Sequence, residues 1–196
     1  MLAATAHELQ QKGLLVAGPG CTVSELAVFC PVDDLGEARP IVLGARCTIA
    51  AFAIVHGGAE LDAGVRVEDH VIVGQPERGY AVRNIYPGAG APTTIGAGAV
   101  LRAGAVLYAG VSVGAESVVG HHTLLRSHVR VGQRSQLAHH LTVERAASLG
   151  ERMRCSPLAH HLLSWLRRAA VRSIISWTVF KIFVRLPGFS GSLSEP

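Results

Sequence analysis

The sequence predicts an all-β fold, a solenoid of short stacked strands, and three observations predict it. Ile, Leu or Val returns every six residues, first through Leu43, Ile49, Val55, Leu61, Val67 and Val73. The spacing resumes at Ile95 and continues through Leu101, Leu107, Val113, Val119, Leu125, Val131, Leu137, Val143 and Leu149 to Cys155. The residue two places before each aliphatic is usually small or apolar, as at Cys47, Ala53, Ala59, Val65, Val71, Ala99, Ala105 and Val111. Glycine often follows the aliphatic directly, at Gly44, Gly96, Gly114, Gly120, Gly132 and Gly150. A period of six is neither the 3.6 of a helix nor the plain alternation of an isolated strand, so the repeat is itself the architecture.

Residues two apart in a strand point to the same side. Each hexad therefore reads as a short strand with inward side chains, then a tight turn in which glycine accommodates unusual dihedrals. Stacking such coils buries the aliphatics in columns and leaves only the two ends of the solenoid as free edges. In these hexads the chain resembles the hexapeptide-repeat family, over roughly Ile41 to Cys155. The resemblance implies a left-handed parallel β-helix in which three hexads make one triangular coil of about eighteen residues.

Taken in order, residues 1–12 read as a short helix or loose lead-in with no secretory leader. The stretch up to residue 40 reads as an irregular first coil. Residues 41–156 form the β-helix domain, interrupted where Val73 and Ile95 stand 22 residues apart, four more than one coil. The two runs are thus expected to be out of phase. The Gly-, Pro- and Tyr-containing segment 74–94 is predicted to be a loop extruded from a corner. Long loops on rigid scaffolds often carry function, and Arg78, Tyr80, Arg83 and Tyr86 make this one a candidate wall for a polar or anionic substrate, with Tyr80, Arg83 and Tyr86 as the acceptor contacts.

After Cys155 the register ends and residues 157–196 are expected to form a helical tail. Within it, 158–186 alternate broad apolar faces with Arg167, Arg168, Arg172, Lys181 and Arg185. Only eight residues separate Arg172 from Lys181, against the ~20 apolar residues that cross a bilayer. The tail reads first as a helix packed on the last coil or on a neighbouring subunit, then as an interfacial membrane helix, and third as an aberrant terminus.

Composition bounds the function. The chain of 196 residues suits one domain, and its 5% aromatic content suits thin aliphatic columns. The net charge of +4 is spread rather than clustered with aromatics, so nucleic-acid binding has little support. Cys21, Cys30, Cys47 and Cys155 show no CxxC spacing, which reads as reduced thiols and a cytoplasmic protein. Arg126 and Glu144 lie eighteen residues apart, as do Glu116 and Arg134, so each pair is expected to stack on adjacent coils. Arg134 and Arg152 would stack with like charge, an arrangement that favours a nearby anion such as a cofactor phosphate.

The chemistry-bearing feature is a doubled histidine pair. His121-His122 and His139-His140 are eighteen residues apart and should occupy one corner on successive coils. The strings Val119-Gly-His121-His122-Thr-Leu-Leu125 and Leu137-Ala-His139-His140-Leu-Thr-Val143 resemble the element carrying the general base in hexapeptide acyltransferases. In those relatives Asp or Asn often follows the base, whereas here His follows both.

The resemblance implies direct acyl transfer from a CoA or carrier-protein thioester: acetyl-CoA or another acyl-CoA is the expected co-substrate, lying between subunits of a homotrimer. His139 or His121 would take the proton of the attacking amine or hydroxyl, since an imidazole titrates near pH 6.5. A nucleotide-linked amino sugar is the acceptor class that analogy favours. No metal is expected. A zinc hydratase like the γ-class carbonic anhydrases is the alternative, built on three histidines, but the spacing that should supply a second ligand after His121 reaches Arg126, with His128 two later and His56 as a loose third. A non-catalytic scaffold whose tail, 158–186, docks a partner or a membrane is a further alternative.

Overall fold

The computed structural model describes residues 6–77 and 88–155, and in them the six-residue period becomes a left-handed parallel β-helix of triangular section. The first sheet stacks Leu15–Ala17, Ile41–Leu43, Ala59–Leu61, Thr93–Ile95, Ser112–Val113, Arg130–Val131 and Ser148–Leu149. The second stacks Thr22–Val23, Thr48–Ile49, Arg66–Val67, Val100–Leu101, Val118–Val119, Gln136–Leu137 and Arg154–Cys155. The third stacks Val28–Cys30, Ile54–His56, Ile72–Gln75, Val106–Tyr108, Leu124–Leu125 and Thr142–Val143. All pairings between these strands are parallel, and in the regular coils residue n pairs with residue n + 18, as Val119 does with Leu137. The prism therefore has three vertical edges, named here by the sheets they join.

The columns are the core. Leu43, Ile49, Val55, Leu61, Val67, Val73, Leu101, Leu107 and Leu125 are all buried, as are Cys47, Ala53, Ala59 and Val65 at the second inward position. Removing an aliphatic side chain of this size from water contributes about 1.5–3 kcal/mol. At three polar second inward positions the hydroxyl bonds a corner carbonyl of the next coil: Ser117 to Gly132 O at 2.9 Å, Ser135 to Gly150 O at 3.0 Å and Thr123 to Ala138 O at 2.8 Å. These buried hydroxyls are satisfied, so they fit the column without an unpaired donor. Cys47 is buried as expected and its thiol bonds Asp62 O at 3.1 Å, while all four cysteines are free.

The turns have a different cause from the one the sequence suggests. In the regular coils the left-handed conformation falls three residues after the aliphatic, not on the glycine next to it, and it is held by Arg46, Phe52, His70, Glu116, His122, Arg134, His140 and Arg152 among others; Gly74, beside Val73 where the loop begins, is the exception. Glycine directly after the aliphatic is required by close approach. A Cβ on Gly120 would lie 2.3 Å from Ala138 O and 2.7 Å from His139 N, both backbone atoms of the next coil. The turn is also laddered, since His122 N donates to Ala103 O at 3.1 Å and His140 N donates to His121 O at 2.8 Å.

The extruded loop does not put the two aliphatic runs out of phase. Ile95 pairs with Leu61, 34 residues earlier where a plain coil has eighteen, so sixteen residues are inserted between two successive sides and the columns run through unbroken. The expectation of a phase break came from measuring Val73 to Ile95 against a whole coil, whereas the two are neighbouring corners of one path. A second insertion sits two coils below on the same third–first edge, because Leu15 pairs with Ile41, 26 residues on. The two interlock. Asp34 of the lower insertion accepts from Ala89 N at 2.9 Å and Gly90 N at 3.0 Å, and Arg39 donates to Gly90 O.

The lead-in is the helix Ala6–Gln11, whose Leu9 is buried in the open end of the core. The predicted helical tail, 157–196, lies outside the described residues, as do Arg78, Tyr80, Arg83 and Tyr86 of the loop. No helix among the described residues is long and apolar enough to cross a membrane.

Candidate functional site

The histidine pairs meet on the second–third edge as their spacing predicts. The rings of His121 and His139 have centroids 4.9 Å apart with planes tilted by 34°, and those of His122 and His140 are stacked at 5.2 Å. The eighteen-residue coil brings each pair together because adjacent parallel strands lie about 4.8 Å apart. The column continues downward, where Phe52 and His70 stack at 5.0 Å. Gly104 separates the two stacks, and a Cβ there would meet His122 Nδ1 at 2.4 Å.

One backbone group at this edge lies outside the coil-to-coil ladder: the N–H just before the left-handed residue. Three of these N–H groups take a side-chain acceptor instead. Ala51 N donates to Asp69 Oδ1 at 3.1 Å, Ala103 N to Glu68 Oε2 at 3.2 Å, and His121 N to His139 Nδ1 at 3.0 Å. Glu68 also accepts from Arg102 at 2.7 Å. Burial alone would raise its carboxyl, but the Ala103 N–H, Arg102 and Arg66 together hold it below the ordinary carboxylate value.

Beside this edge the outer face of the second sheet carries a shallow groove of about 450 Å³ lined by Arg102, Val118, Gly120, Gln136, Leu137, Ala138, His139, Arg154 and Cys155. Its floor is backbone and small side chains, its rim is cationic, and His139 stands at its edge. Arg154, which the sequence reading passed over, forms no hydrogen bond or ion pair among the described residues. Its signal was available, since Gln136 and Arg154 hold the outward position of successive strands. Burial pushes the Cys155 thiol up, in keeping with an inward residue rather than a nucleophile.

Arg134 and Arg152 occupy the first–second edge, on the far side of the same sheet. Arg134 turns to Glu116 at 3.2 Å, as their spacing predicts, and so it does not face Arg152 as an unscreened like charge. The loop arises from the remaining edge. Of the residues named from sequence, the two histidines thus stand side by side with the two arginines across one sheet from them, while Tyr80, Arg83 and Tyr86 lie outside the described residues.

Within a single chain the residues of the zinc alternative stand on different edges. His56 and His128 lie on the third–first edge and His121 on the second–third edge. Arg126 is buried on the third–first edge, bonded to Glu144 at 2.7 Å and through Nε to Glu77 at 2.6 Å. Glu77 also accepts from Ser127 N at 2.9 Å. Its burial would raise the carboxyl, yet Ser127 and Arg126 outweigh that and hold it below the usual range. The stacked Arg126–Glu144 pair is therefore one arm of a largely buried triad, and Glu77 was hidden from sequence reasoning by its separation of 49 positions from Arg126. Burial lowers the pKa of His56, against a smaller opposing effect of its hydrogen bond with Gln75.

No protein-family model matches the chain, and no curated protein matches it. Among solved structures it is similar to the UDP-N-acetylglucosamine acyltransferase of Francisella novicida, at 14% identity over 71% of this chain and 58% of that one, with a TM-score of 0.45. It is similar to the acetyltransferase domain of PglB from Neisseria gonorrhoeae, in complex with acetyl coenzyme A, at 18% identity over 72% and 54% of the two chains, with a TM-score of 0.26. It is also similar to LpxA from Acinetobacter baumannii, at 12% identity over 74% and 70%, with a TM-score of 0.30. The chain spans little more than half the length of the first two of these proteins.

Proposed function

We propose that the protein is an acyltransferase that moves an acyl group, acetyl being the simplest, from a CoA thioester to an amine or hydroxyl of a small polar acceptor. The observation that carries this reading is the His121–His139 pair, with ring centroids 4.9 Å apart, of which His139 lines the groove that crosses the second sheet. The strings around both histidines resemble the base-bearing element of hexapeptide acyltransferases. An imidazole at the mouth of a groove can take a proton from the attacking group as it meets the thioester carbonyl.

The groove also suits an extended anionic donor. Arg154 lines it, and Arg152 and Arg134, the latter paired with Glu116, stand beyond it on the opposite edge of the same sheet, so a chain crossing that face would run from imidazole to guanidinium. A nucleotide-linked amino sugar is the proposed acceptor class, with the loop 74–94 as its wall. A homotrimer, with the donor between neighbouring prisms, and a cytoplasmic location belong to the same proposal.

Thioester consumption measured across amine and hydroxyl acceptors tests it. Acyl-CoA-dependent acceptor acylation is expected, falling about 10²–10⁴-fold when the base is removed. Full turnover in both His121→Ala and His139→Ala, or no acceptor acylation in the wild type, overturns it.

A further inference from the structure

The two imidazoles are not equivalent, and one hydrogen bond makes the difference. A backbone N–H can only donate, so Nδ1 of His139 must present a lone pair to His121 N at 3.0 Å. The proton of the neutral ring then resides on Nε2. A ring in that tautomer offers an N–H at Nε2 and has its only lone pair already engaged. It can donate to substrate, but it cannot accept a proton there without giving up the His121 N–H.

His121 carries no such constraint. The N–H that would lock it is that of Ala103, one coil earlier, and Ala103 N is already bonded to Glu68 Oε2 at 3.2 Å. Arg102 holds Glu68 in place from the other side at 2.7 Å. Among the described residues nothing is hydrogen-bonded to the His121 ring, so one of its nitrogens is open as an acceptor. The glutamate of one coil thereby frees the imidazole of the next.

We infer that the pair divides the labour of acyl transfer: His121 is the general base, and His139 is a hydrogen-bond donor, through Nε2–H, to the oxyanion. This rests on the acyltransferase reading above. In the step so assigned, the acceptor's nitrogen or oxygen bonds to the thioester carbonyl carbon as His121 takes its proton. The carbonyl electron pair moves onto oxygen, where the His139 Nε2–H stabilises it. The tetrahedral intermediate reforms its C=O, the C–S bond breaks, and the departing thiolate takes the proton back from His121. Groups that donate to a developing oxyanion contribute about 10²–10³-fold in rate, comparable to a base, so each histidine has a role of its own.

Two measurements test the assignment separately from the activity itself. Long-range ¹H–¹⁵N correlation of the imidazoles in the full-length protein, at a pH where both rings are neutral, should find His139 in the Nε2–H tautomer. Glu68→Gln should leave that signature unchanged. A His139 carrying its proton on Nδ1 overturns the inference, whether or not any acyltransfer is detected.

The kinetic arm uses glutamine, whose amide can place an N–H near the position of Nε2 but has no basic nitrogen. His139→Gln should keep kcat within about tenfold of wild type with the acidic limb of the pH–rate profile intact, whereas His139→Ala should lose about 10²–10³-fold. His121→Gln should lose about 10²–10⁴-fold and the acidic limb together. The reverse pattern, with His139→Gln losing the limb and His121→Gln keeping it, also overturns the inference. Absence of acylation in the wild type would instead sink the acyltransferase reading and leave the tautomer result to stand alone.

Discussion

Glu77, at the root of the extruded loop, reaches past a whole coil to meet Arg126 and the N–H of Ser127 on the same edge, and both charged side chains are buried. Glu144 completes the triad from the coil beyond. A charge pair this deep persists because each partner is hydrogen-bonded in full, and removing one partner strands the other.

Glu77→Ala should therefore destabilise the protein by about 3 kcal/mol, the low end of the usual range for a stranded buried charge because Arg126 keeps Glu144. Urea denaturation of the variant against wild type checks this. A loss no larger than that of an exposed pair, about 0–1 kcal/mol, would show that the triad does not hold the loop.

The same carboxyl gives a pH dependence whose sign is fixed. Its folded-state pKa lies below the unfolded value of 4.5, so the stabilisation is complete above that pH and is lost as pH falls through the lower folded value. Glu68 acts in the same direction for the same kind of reason. Stability measured from pH 6 downward should fall less steeply in Glu77→Gln than in wild type.

His56 adds a loss at milder acidity. Burial depresses its pKa below 6.5, so its contribution is present above that value and declines as pH falls toward the folded-state pKa. His56→Gln should flatten the stability profile just below pH 6.5 while leaving the steeper region governed by the carboxylates unchanged. Denaturant midpoints collected at half-unit intervals of pH would reveal it.

Gly120→Ala should be costly although alanine is small. The added Cβ meets backbone, not a side chain that could swing away, so two coils must part beside the histidines. Overpacking of this kind costs about 1–3 kcal/mol. The variant should also weaken the His121–His139 contact, visible as a shift in the imidazole resonances.

Ala146→Gly should do the opposite. Ala146 is exposed and sits at φ 59°, where an L-residue is strained and glycine is not. Relief of that strain exceeds the entropy that glycine loses on folding, giving a net gain of about 0.5–1 kcal/mol. Thermal unfolding should rise by a few degrees.

How much of this was legible beforehand follows from spacing. Contacts at eighteen residues were readable: His121 with His139, Arg126 with Glu144, and Glu116 with Arg134 all form as counted. Contacts that cross an insertion were not, because the sixteen added residues break the count. Glu77 with Arg126 and Asp34 with Gly90 are of that kind. Glycine frequency located the corners but misassigned the cause, since a close approach and a left-handed dihedral leave the same residue in a sequence. The tautomer of His139 depended on a single backbone N–H left over from the ladder, which no periodicity records.

The two interlocked insertions also solve a problem that the columns create. Because one aliphatic rung is much like another, a stack displaced by a whole turn would bury nearly the same side chains and suffer little for it. Asp34 can find Gly90, and Glu77 can find Arg126, in only one alignment. They serve as the keyway of the assembly, telling each rung which neighbour is its own.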